Sequence, residues 1–361
     1  MAYILSTGLQ EAEYEYTQDT VQSLIYNLFP LKSHEKKRLL PIFEHAQIDR
    51  RQFSASLEWF EHPHGLKERN ELFHDKALKY AKGAIESCLS NLQFLKQEVN
   101  PSIIDHIIFV SSTGINTPTL DTYFINDLNF KETVKRTPMF GLGCAGGTSG
   151  VARAYEWLQG HPEKNVLVVC VELCSLTFQL TDQRVSNFVG TALFGDGASA
   201  VLMSGERSNL REMACLPTAK VLNSSSRLKP FSTDVMGWRV VDTGFEVIFN
   251  KSIPKLVKSF WSLHMKDVLD KNLWESNELP FIVAHPGGRK VLEGYKEVFE
   301  LSDHTLKFSE NVLRNHGNMS SPTVHFVLKE AMASEPEKGT RSCMTSLGPG
   351  FSSEIVSLEW V

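Results

Sequence analysis

Residues 141–147 read GLGCAGG and residues 315–321 read NHGNMSS, and these two stretches decide the fold. In each stretch a turn rich in glycine or serine leads into a helical pattern. The cysteine of the first stretch, Cys144, and the asparagine of the second, Asn318, are 174 residues apart (318 − 144). A fixed offset between similar segments indicates an internal repeat.

Three further features obey the same offset. The tripeptide Pro-Glu-Lys follows each helical pattern, beginning at Pro162 and at Pro336 (336 − 162 = 174). The strand patterns that precede the two stretches end at Ser111 and at His285 (285 − 111 = 174), and each reaches a glycine three residues later. Four matches in the same structural context predict a duplicated α/β unit.

Local patterns support strands and helices in alternation. The largely apolar run at 166–173 is typical of a strand buried on both faces. The Gly-His-Pro sequence at 160–162 ends the helix before it, and Pro322 stands in the first turn of the second helix. We expect two α/β halves, residues 1–205 with the cysteine and residues 206–361 with the histidine and asparagine.

Composition excludes several classes of protein. The 361 residues are 42% hydrophobic and 22% charged, as in ordinary globular proteins, and the net charge of −5 argues against a general nucleic-acid binder. The longest apolar run, 166–171, is too short to span a bilayer. The six cysteines show no paired CxxC spacing, which argues against a zinc site. The start of the chain lacks a secretory pattern, so we expect a cytoplasmic, reduced protein.

Cys144 is the candidate nucleophile. Glycines on both sides let the backbone turn sharply and let a substrate carbonyl approach closely. The N-terminus of the following helix offers free N–H groups and positive potential, which favour a thiolate and a developing oxyanion. The alternative is a small buried residue in a turn.

His285 and Asn318 are the other candidates. His285 stands at a strand end, where open α/β sheets meet their ligands. If the two halves pack about a pseudo-twofold axis, Asn318 faces Cys144 there. Taken singly, Asn318 is as well explained as a helix cap and His285 as a core histidine.

The motifs together resemble those of the type III polyketide synthases, the family of plant chalcone and stilbene synthases. The resemblance covers nearly the whole chain. It implies the thiolase fold, a duplicated five-layer αβαβα architecture with pseudo-twofold symmetry, and a homodimer. The motifs that carry it are GCAGG at 143–147, LFGDGA at 193–198, HPGG at 285–288, GNMSS at 317–321 and GPG at 348–350.

The resemblance implies a role for each candidate. Cys144 would hold the acyl chain as a thioester, and His285 would pair with it and lower its pKa. His285 and Asn318 would bind the thioester carbonyl of malonyl-CoA and stabilise the enolate that forms when CO₂ leaves. The partners expected are acyl-CoA and malonyl-CoA, with no metal and no cofactor besides these thioesters.

Substrate-binding positions follow in the same way. Phe194 would stand at the junction between a CoA tunnel and the reaction cavity. Arg38 falls near a CoA-contacting lysine of the family, and Arg50 and Arg51 could also meet CoA phosphates, although a solvated basic face explains them equally well. The remaining positions that the resemblance places in the site are Thr177, Gly287, Ser320, Gly348, Pro349 and Gly350.

Four positions depart from the plant pattern. Ser346 replaces the first glycine of the GFGPG loop, and Thr117 replaces a methionine that crosses the dimer interface. Val247 replaces the second gating phenylalanine, and Trp238 stands where a small residue lines the plant cavity. We therefore expect a medium or long fatty acyl-CoA starter and alkylpyrone or alkylresorcinol products rather than chalcones.

Three other classes compete with this interpretation. A ketoacyl synthase III or a hydroxymethylglutaryl-CoA synthase would share the fold. A papain-like protease uses Cys, His and Asn in this chain order, but it lacks both the duplication and this cysteine context. A non-catalytic acyl-binding protein of the same fold would be expected to have lost the cysteine or the histidine.

Overall fold

The computed structural model describes residues 1–29, 39, 41–215, 217–302 and 304–361. Its strands are β1 (Ala2–Glu11), β2 (Tyr14–Thr17), β3 (Arg50–Phe53), β4 (His106–Val110), β5 (Lys135–Met139), β6 (Asn165–Leu173), β7 (Asp196–Gly205), β8 (Ala219–Leu228), β9 (Met236–Val241), β10 (Gly244–Phe249), β11 (Val283–Ala284), β12 (Arg341–Gly348) and β13 (Ser352–Trp360).

The described α-helices are α1 (Gln18–Leu28), α2 (Pro41–His45), α3 (Leu57–Phe60), α4 (Leu66–Leu89), α5 (Asp121–Asp127), α6 (Gly146–Gly160), α7 (Val185–Leu193), α8 (Ile253–Leu256), α9 (Ser262–Asn272), α10 (Arg289–Phe299), α11 (Lys307–His316) and α12 (Thr323–Ala333). Short 3₁₀ turns include Gly143–Ala145 and Cys174–Thr177, and a π-helical turn, Val257–Trp261, joins α8 to α9.

The main sheet shows the duplication directly. Its nine strands follow the order β11-β12-β13-β8-β1-β7-β6-β4-β5. In the N-terminal half β1, β7 and β6 are antiparallel neighbours and β4 lies parallel to β6. In the C-terminal half β8, β13 and β12 are antiparallel neighbours and β11 lies parallel to β12. The same order and directions occur twice, which confirms the predicted repeat. Three residue pairs between β1 and β8 join the halves.

Burial divides the molecule into five layers. Alternate residues of a strand face opposite sides, and in β6 Val166 and Val168 belong to the central core while Leu167 and Val169 belong to an outer one. The central core contains α6 and α12 together with strands from both halves. Helix α4 covers the outer face of the N-terminal strands, and α9 and α10 cover that of the C-terminal strands. The five-layer architecture is therefore as expected.

The local predictions agree with most element bounds. The largely apolar run at 166–173 lies in β6, whose nine residues are all buried, and the two helices that follow the repeated stretches are α6 and α12. The strand pattern that ends at His285 forms a strand of only two residues, Val283–Ala284, because the backbone N–H of Ile282 donates to the carbonyl of Thr305 instead of a strand neighbour. The division between residues 205 and 206 stays a prediction.

The described part of the chain contains no helix that combines the length and the apolar character needed to cross a membrane.

Candidate active site

Cys144 lies in the 3₁₀ turn Gly143–Ala145, immediately before α6. Gly143 has a φ of +47°, and a Cβ atom added there would lie 2.9 Å from Pro349. Backbone conformation and close approach therefore both require glycine at this position. Gly348 packs still more closely against this turn, since an added Cβ would lie 2.5 Å from that of Ala145. The loop at 348–350 thus holds the turn that carries the thiol, and Cys144 is only 7% exposed.

Asn318 faces Cys144 from the other half of the molecule. The thiol Sγ lies 3.7 Å from Oδ1 and 3.8 Å from Nδ2 of the amide. Oδ1 accepts from the backbone N–H of Ser320 at 2.8 Å, and Nδ2 donates to the carbonyl of Gly287 at 3.4 Å. The backbone N–H of Asn318 donates to the carbonyl of Leu193 at 2.8 Å. These bonds orient the amide with Nδ2 on the side of His285-Pro286-Gly287.

His285 completes the group. It follows β11, its backbone N–H donates to Thr345, and its side chain is 2% exposed. Neither ring nitrogen has a hydrogen-bond partner among the described residues. Buried polar atoms without partners are rare and point to a ligand or a catalytic role. His285, Cys144 and Asn318 line one small inner cavity of about 10 Å³.

Burial sets the protonation of both groups. It raises the pKa of the Cys144 thiol to about 11, while the neighbouring polar side chains of Ser320 and Asn318 act to lower it. Burial also lowers the pKa of His285 to about 3. The resemblance predicts a lowered cysteine pKa, and the closed cavity shifts it the other way because burial disfavours the charged form. At neutral pH this state holds a thiol beside a neutral imidazole.

A buried carboxylate lies behind the nucleophile. Glu172 in β6 accepts from the N–H of Ser112 at 2.9 Å, from the hydroxyl of Thr113 at 2.7 Å and from the hydroxyl of Ser321 at 3.0 Å. Burial raises its pKa to about 7. The sequence analysis did not select this residue. The available signal was an acidic residue inside an otherwise apolar strand pattern.

Four spaces surround the site. The surface groove, of about 470 Å³, is lined in part by Leu193, Phe249, Lys251, Gly287, Arg289 and Lys290. The inner cavity described above adjoins it, since Phe249 and Gly287 line both. The Trp238 cavity, of about 20 Å³, is lined in part by Cys144, Phe194, Trp238, Phe249, Ser320 and Pro349. The apolar pocket, also about 20 Å³, includes Val21, Leu24, Ile25, Thr177, Phe194 and Val247.

Most residues expected in the site do lie around Cys144. Phe194 separates the Trp238 cavity from the apolar pocket, and its ring meets that of Trp238 edge-on at 5.7 Å. Val247 pairs with Trp238 across β9 and β10. Ser320 has a φ of +60°, and its hydroxyl oxygen has no hydrogen-bond partner among the described residues. Thr177 lines the apolar pocket and donates to the carbonyl of Cys174.

Other expected residues lie elsewhere. Thr117 is exposed, on a loop that lines none of the cavities containing Cys144. Gly350 lines none of the four spaces, and Ser346 is buried, its hydroxyl 2.7 Å from that of Thr148. Arg38 lies outside the described residues.

Arg51 corrects one interpretation. Its side chain is fully buried and cannot reach a CoA phosphate in solvent. Its guanidinium donates to the carbonyls of Thr191 and Phe194 at 2.6 and 2.7 Å and to Oε1 of Gln18 at 2.7 Å. These carbonyls belong to the last turn of α7 and its cap, where a cation is favoured. Arg51 therefore fixes the residue that carries the Phe194 ring.

Two family models match the chain: "Chalcone and stilbene synthases, N-terminal domain" at residues 56–207 and "Chalcone and stilbene synthases, C-terminal domain" at residues 220–360. A Bacillus subtilis (strain 168) protein named "Putative chalcone synthase" is 38% identical over 361 residues, 100% of this chain and 99% of that protein. The 1,3,6,8-tetrahydroxynaphthalene synthase of Streptomyces peucetius subsp. caesius is 31% identical over 348 residues, 96% and 90% of the two chains.

A solved structure agrees with these matches. The crystal structure of 1,3,6,8-tetrahydroxynaphthalene synthase from Streptomyces coelicolor A3(2), a bacterial type III polyketide synthase, superposes with a TM-score of 0.86 at 24% identity, covering 100% of this chain and 99% of that one. The fold is thus that of the thiolase class. The chain belongs to the chalcone and stilbene synthase family, the type III polyketide synthases, and is an acyltransferase-type condensing enzyme.

Proposed function

We propose that the chain loads an acyl-CoA starter onto Cys144 and extends it with malonyl-CoA by decarboxylative Claisen condensation. The observation that supports this is one closed cavity in which the Cys144 thiol, the Asn318 amide and the unpartnered His285 ring meet. Cyclisation would then give alkylpyrones or alkylresorcinols. CoA thioesters are the substrates, and no further cofactor is required.

Loading uses the neutral histidine. The sulfur of Cys144 attacks the acyl-CoA carbonyl while its proton passes to an unpartnered nitrogen of His285. The C–S bond to CoA breaks, and the CoA thiolate takes that proton as it leaves. Because burial keeps imidazole neutral at neutral pH, the ring can accept at one nitrogen and donate at the other.

Extension uses the same donors on a different carbonyl. The N–H of His285 and Nδ2 of Asn318 would donate to the thioester oxygen of malonyl-CoA. The C–C bond to the carboxylate breaks, CO₂ leaves, and the electron pair forms an enolate whose oxygen these donors stabilise. The enolate carbon then attacks the acyl group on Cys144, and the cysteine thiolate is the leaving group.

The surface groove is the entry that we assign to CoA. It leads from solvent to Gly287, which also lines the inner cavity. Three cationic side chains, Lys251, Arg289 and Lys290, line the groove. Cations of this kind favour phosphates, so they would take the place assigned to Arg51 in the sequence analysis.

The apolar pocket supports an alkyl starter. Beyond Phe194 and Val247 it is walled by Val21, Leu24 and Ile25 of α1. Each buried methylene contributes about 0.8 kcal/mol, so selectivity should rise with chain length. The free space is only about 20 Å³, about enough for one water molecule. Chain length is therefore limited by how far the α1 side chains move aside.

The same small volume favours a second candidate. Malonyl-CoA alone could serve as starter, since the inner and Trp238 cavities offer only about 10 and 20 Å³ beside Cys144. The name of the Streptomyces peucetius relative, 1,3,6,8-tetrahydroxynaphthalene synthase, describes a product without an alkyl chain.

One experiment separates the two candidates. The protein is incubated with malonyl-CoA alone and with lauroyl-, palmitoyl- or coumaroyl-CoA in competition, and products are identified by mass spectrometry. We expect alkylated pyrones or resorcinols to dominate. Polyhydroxylated aromatics from malonyl-CoA in every mixture would overturn the alkyl starter, and an equal yield from Cys144→Ala would overturn the whole proposal.

A surface patch supports a homodimer, which we propose to be cytoplasmic. Ile115 and Phe140 are 48% and 64% exposed and both border a cavity of about 350 Å³ on the N-terminal half. Thr117, the position that the resemblance assigns to the dimer interface, is exposed on the same loop as Ile115. A second copy packed there would remove these apolar side chains from water.

A further inference from the structure

Three of the spaces around the site meet at one side chain. Of the residues that the structure describes, Phe249 alone lines the surface groove, the inner cavity and the Trp238 cavity. Its ring lies 6.1 Å from that of Phe194, centre to centre, at an interplanar angle of 51°. Phe194 in turn meets Trp238. The three aromatic rings therefore form a continuous series of contacts along the Trp238 cavity, which Cys144 also lines.

The position of Phe249 follows from the hairpin of β9 and β10. Val247 pairs with Trp238 and Phe249 pairs with Met236. Residues two apart on a strand share a face, separated by about 7 Å. Val247 is buried beside Phe194, whereas Phe249 is the last residue of β10 and is partly exposed. The aromatic bulk that Val247 lacks is present two residues later on the same face.

The route from the groove to Cys144 passes this ring. Four residues line both the groove and the inner cavity: Phe249, Ile253, Gly287 and Val291. Phe249 carries the largest side chain of the four, and Gly287 has none. The inner cavity, of about 10 Å³, does not hold a thioester carbonyl as it stands, while the adjoining groove, of about 470 Å³, has room for a displaced ring.

We propose that Phe249 is the gate between the groove and the reaction chamber, and that it selects thioesters whose long, thin arm can displace the ring. With the ring in place, water is kept from the thiol. With the ring turned into the groove, the thioester carbonyl reaches Asn318 and His285. That this arm belongs to CoA depends on the proposed function. The position of the gate at Phe249 depends only on the cavities.

The first test measures access to Cys144 without turnover. In a Cys215→Ser background, which removes the exposed cysteine, Cys144 is alkylated with iodoacetamide and with the bulkier N-pyrenylmaleimide, and labelling is followed by mass spectrometry. Phe249→Ala should raise the rate at least tenfold with the maleimide and less with iodoacetamide. The matched control is Phe299→Ala, another partly buried phenylalanine of the same core, which lines none of the three spaces; its rates should equal those of the parent.

The second test measures selectivity for the arm. The wild type should decarboxylate malonyl-CoA much faster than malonyl-N-acetylcysteamine, which lacks most of the arm, and Phe249→Ala should narrow that ratio at least fivefold. Phe249→Leu keeps an apolar side chain, so its ratio should lie between those of the wild type and Phe249→Ala. It replaces Phe249→Ala in both tests if the alanine variant loses the circular dichroism spectrum of the folded protein. Unchanged labelling in a folded Phe249 variant would overturn the gate. Faster labelling in a protein that forms no polyketide would overturn the proposed function and leave the gate standing.

Discussion

The Sγ atom of Cys144 lies 3.7 Å from Oδ1 of Asn318 although 174 residues separate them in the chain. The two stand at equivalent positions of the duplicated halves, each at the turn that precedes a central helix, α6 or α12. Since α6 and α12 share the central core, the pseudo-twofold relation brings the two turns together. The site therefore exists only when both halves are folded and packed.

Replacing Asn318 should separate decarboxylation from loading. Asn318→Ala removes one of the two donors that we propose for the thioester oxygen and should lower malonyl-CoA decarboxylation by roughly 10²–10³-fold, the usual effect of losing an oxyanion donor. Cys144→Ala should abolish acyl loading but keep slow decarboxylation. Release of labelled CO₂ gives the rate, with Asn311→Ala, an exposed asparagine bonded to Glu330, as control. A near wild-type rate in Asn318→Ala would remove Asn318 from the reaction.

The alkylation of Cys144 should depend steeply on pH. Only the thiolate reacts, and burial raises the pKa of Cys144 to about 11, so its rate should rise about tenfold per pH unit up to that pKa. Exposed Cys215 should be labelled first at neutral pH. Iodoacetamide labelling between pH 6 and 11, read by mass spectrometry, tests this. A rate for Cys144 that levels off below pH 8 would instead show an imidazolium–thiolate pair with His285.

Arg51 and Arg50 are neighbours in sequence with opposite environments. Arg51→Met removes three hydrogen bonds from a buried cation and should lower the free energy of unfolding by about 3 kcal/mol or more. Arg50 is exposed and lies 3.5 Å from Glu15, so Arg50→Met should cost less than about 1 kcal/mol. Urea unfolding measures both. Equal losses would contradict the capping role of Arg51.

Trp238 should restrict rigid starters. Its ring packs on Phe194 in the wall of the cavity that contains Cys144, so Trp238→Gly should raise kcat/KM for coumaroyl-CoA relative to lauroyl-CoA. Starter competition measures the ratio, and Arg239→Gly on the same strand controls for the backbone effect of glycine. An unchanged ratio in Trp238→Gly would remove Trp238 from starter selection without affecting the alkyl-starter proposal.

The exposed apolar patch should belong to a dimer interface. Phe140→Asp places a charge in that interface, so it should shift the protein from dimer to monomer in sedimentation equilibrium. Leu273, 88% exposed on the C-terminal half, provides the control, because Leu273→Asp should leave the dimer intact. A wild-type protein that sediments as a monomer at every concentration would contradict the proposal.

The sequence by itself determined the architecture and the central group of the site. The 174-residue offset predicts a duplicated α/β unit, and the resemblance to the type III polyketide synthases adds the five layers and the pseudo-twofold axis. Once equivalent turns pack around that axis, Cys144 and Asn318 meet there. Local sequence patterns also predict parts of the structure. Examples are the apolar run of β6 and Gly143, which the turn before Cys144 requires. Each depends on the residue itself and its immediate neighbours, which the sequence displays.

The tertiary structure alone decided which neighbouring residues differ in role. Arg50 and Arg51 are the same residue type in sequence, but only Arg51 meets the carbonyls at the end of α7, which come from more than 130 residues away. Phe249 lies at the junction of three spaces because helices and strands from both halves enclose them. The raised pKa of Cys144 likewise depends on how completely distant segments exclude water. Burial is a property of the packed chain, so no local pattern specifies it.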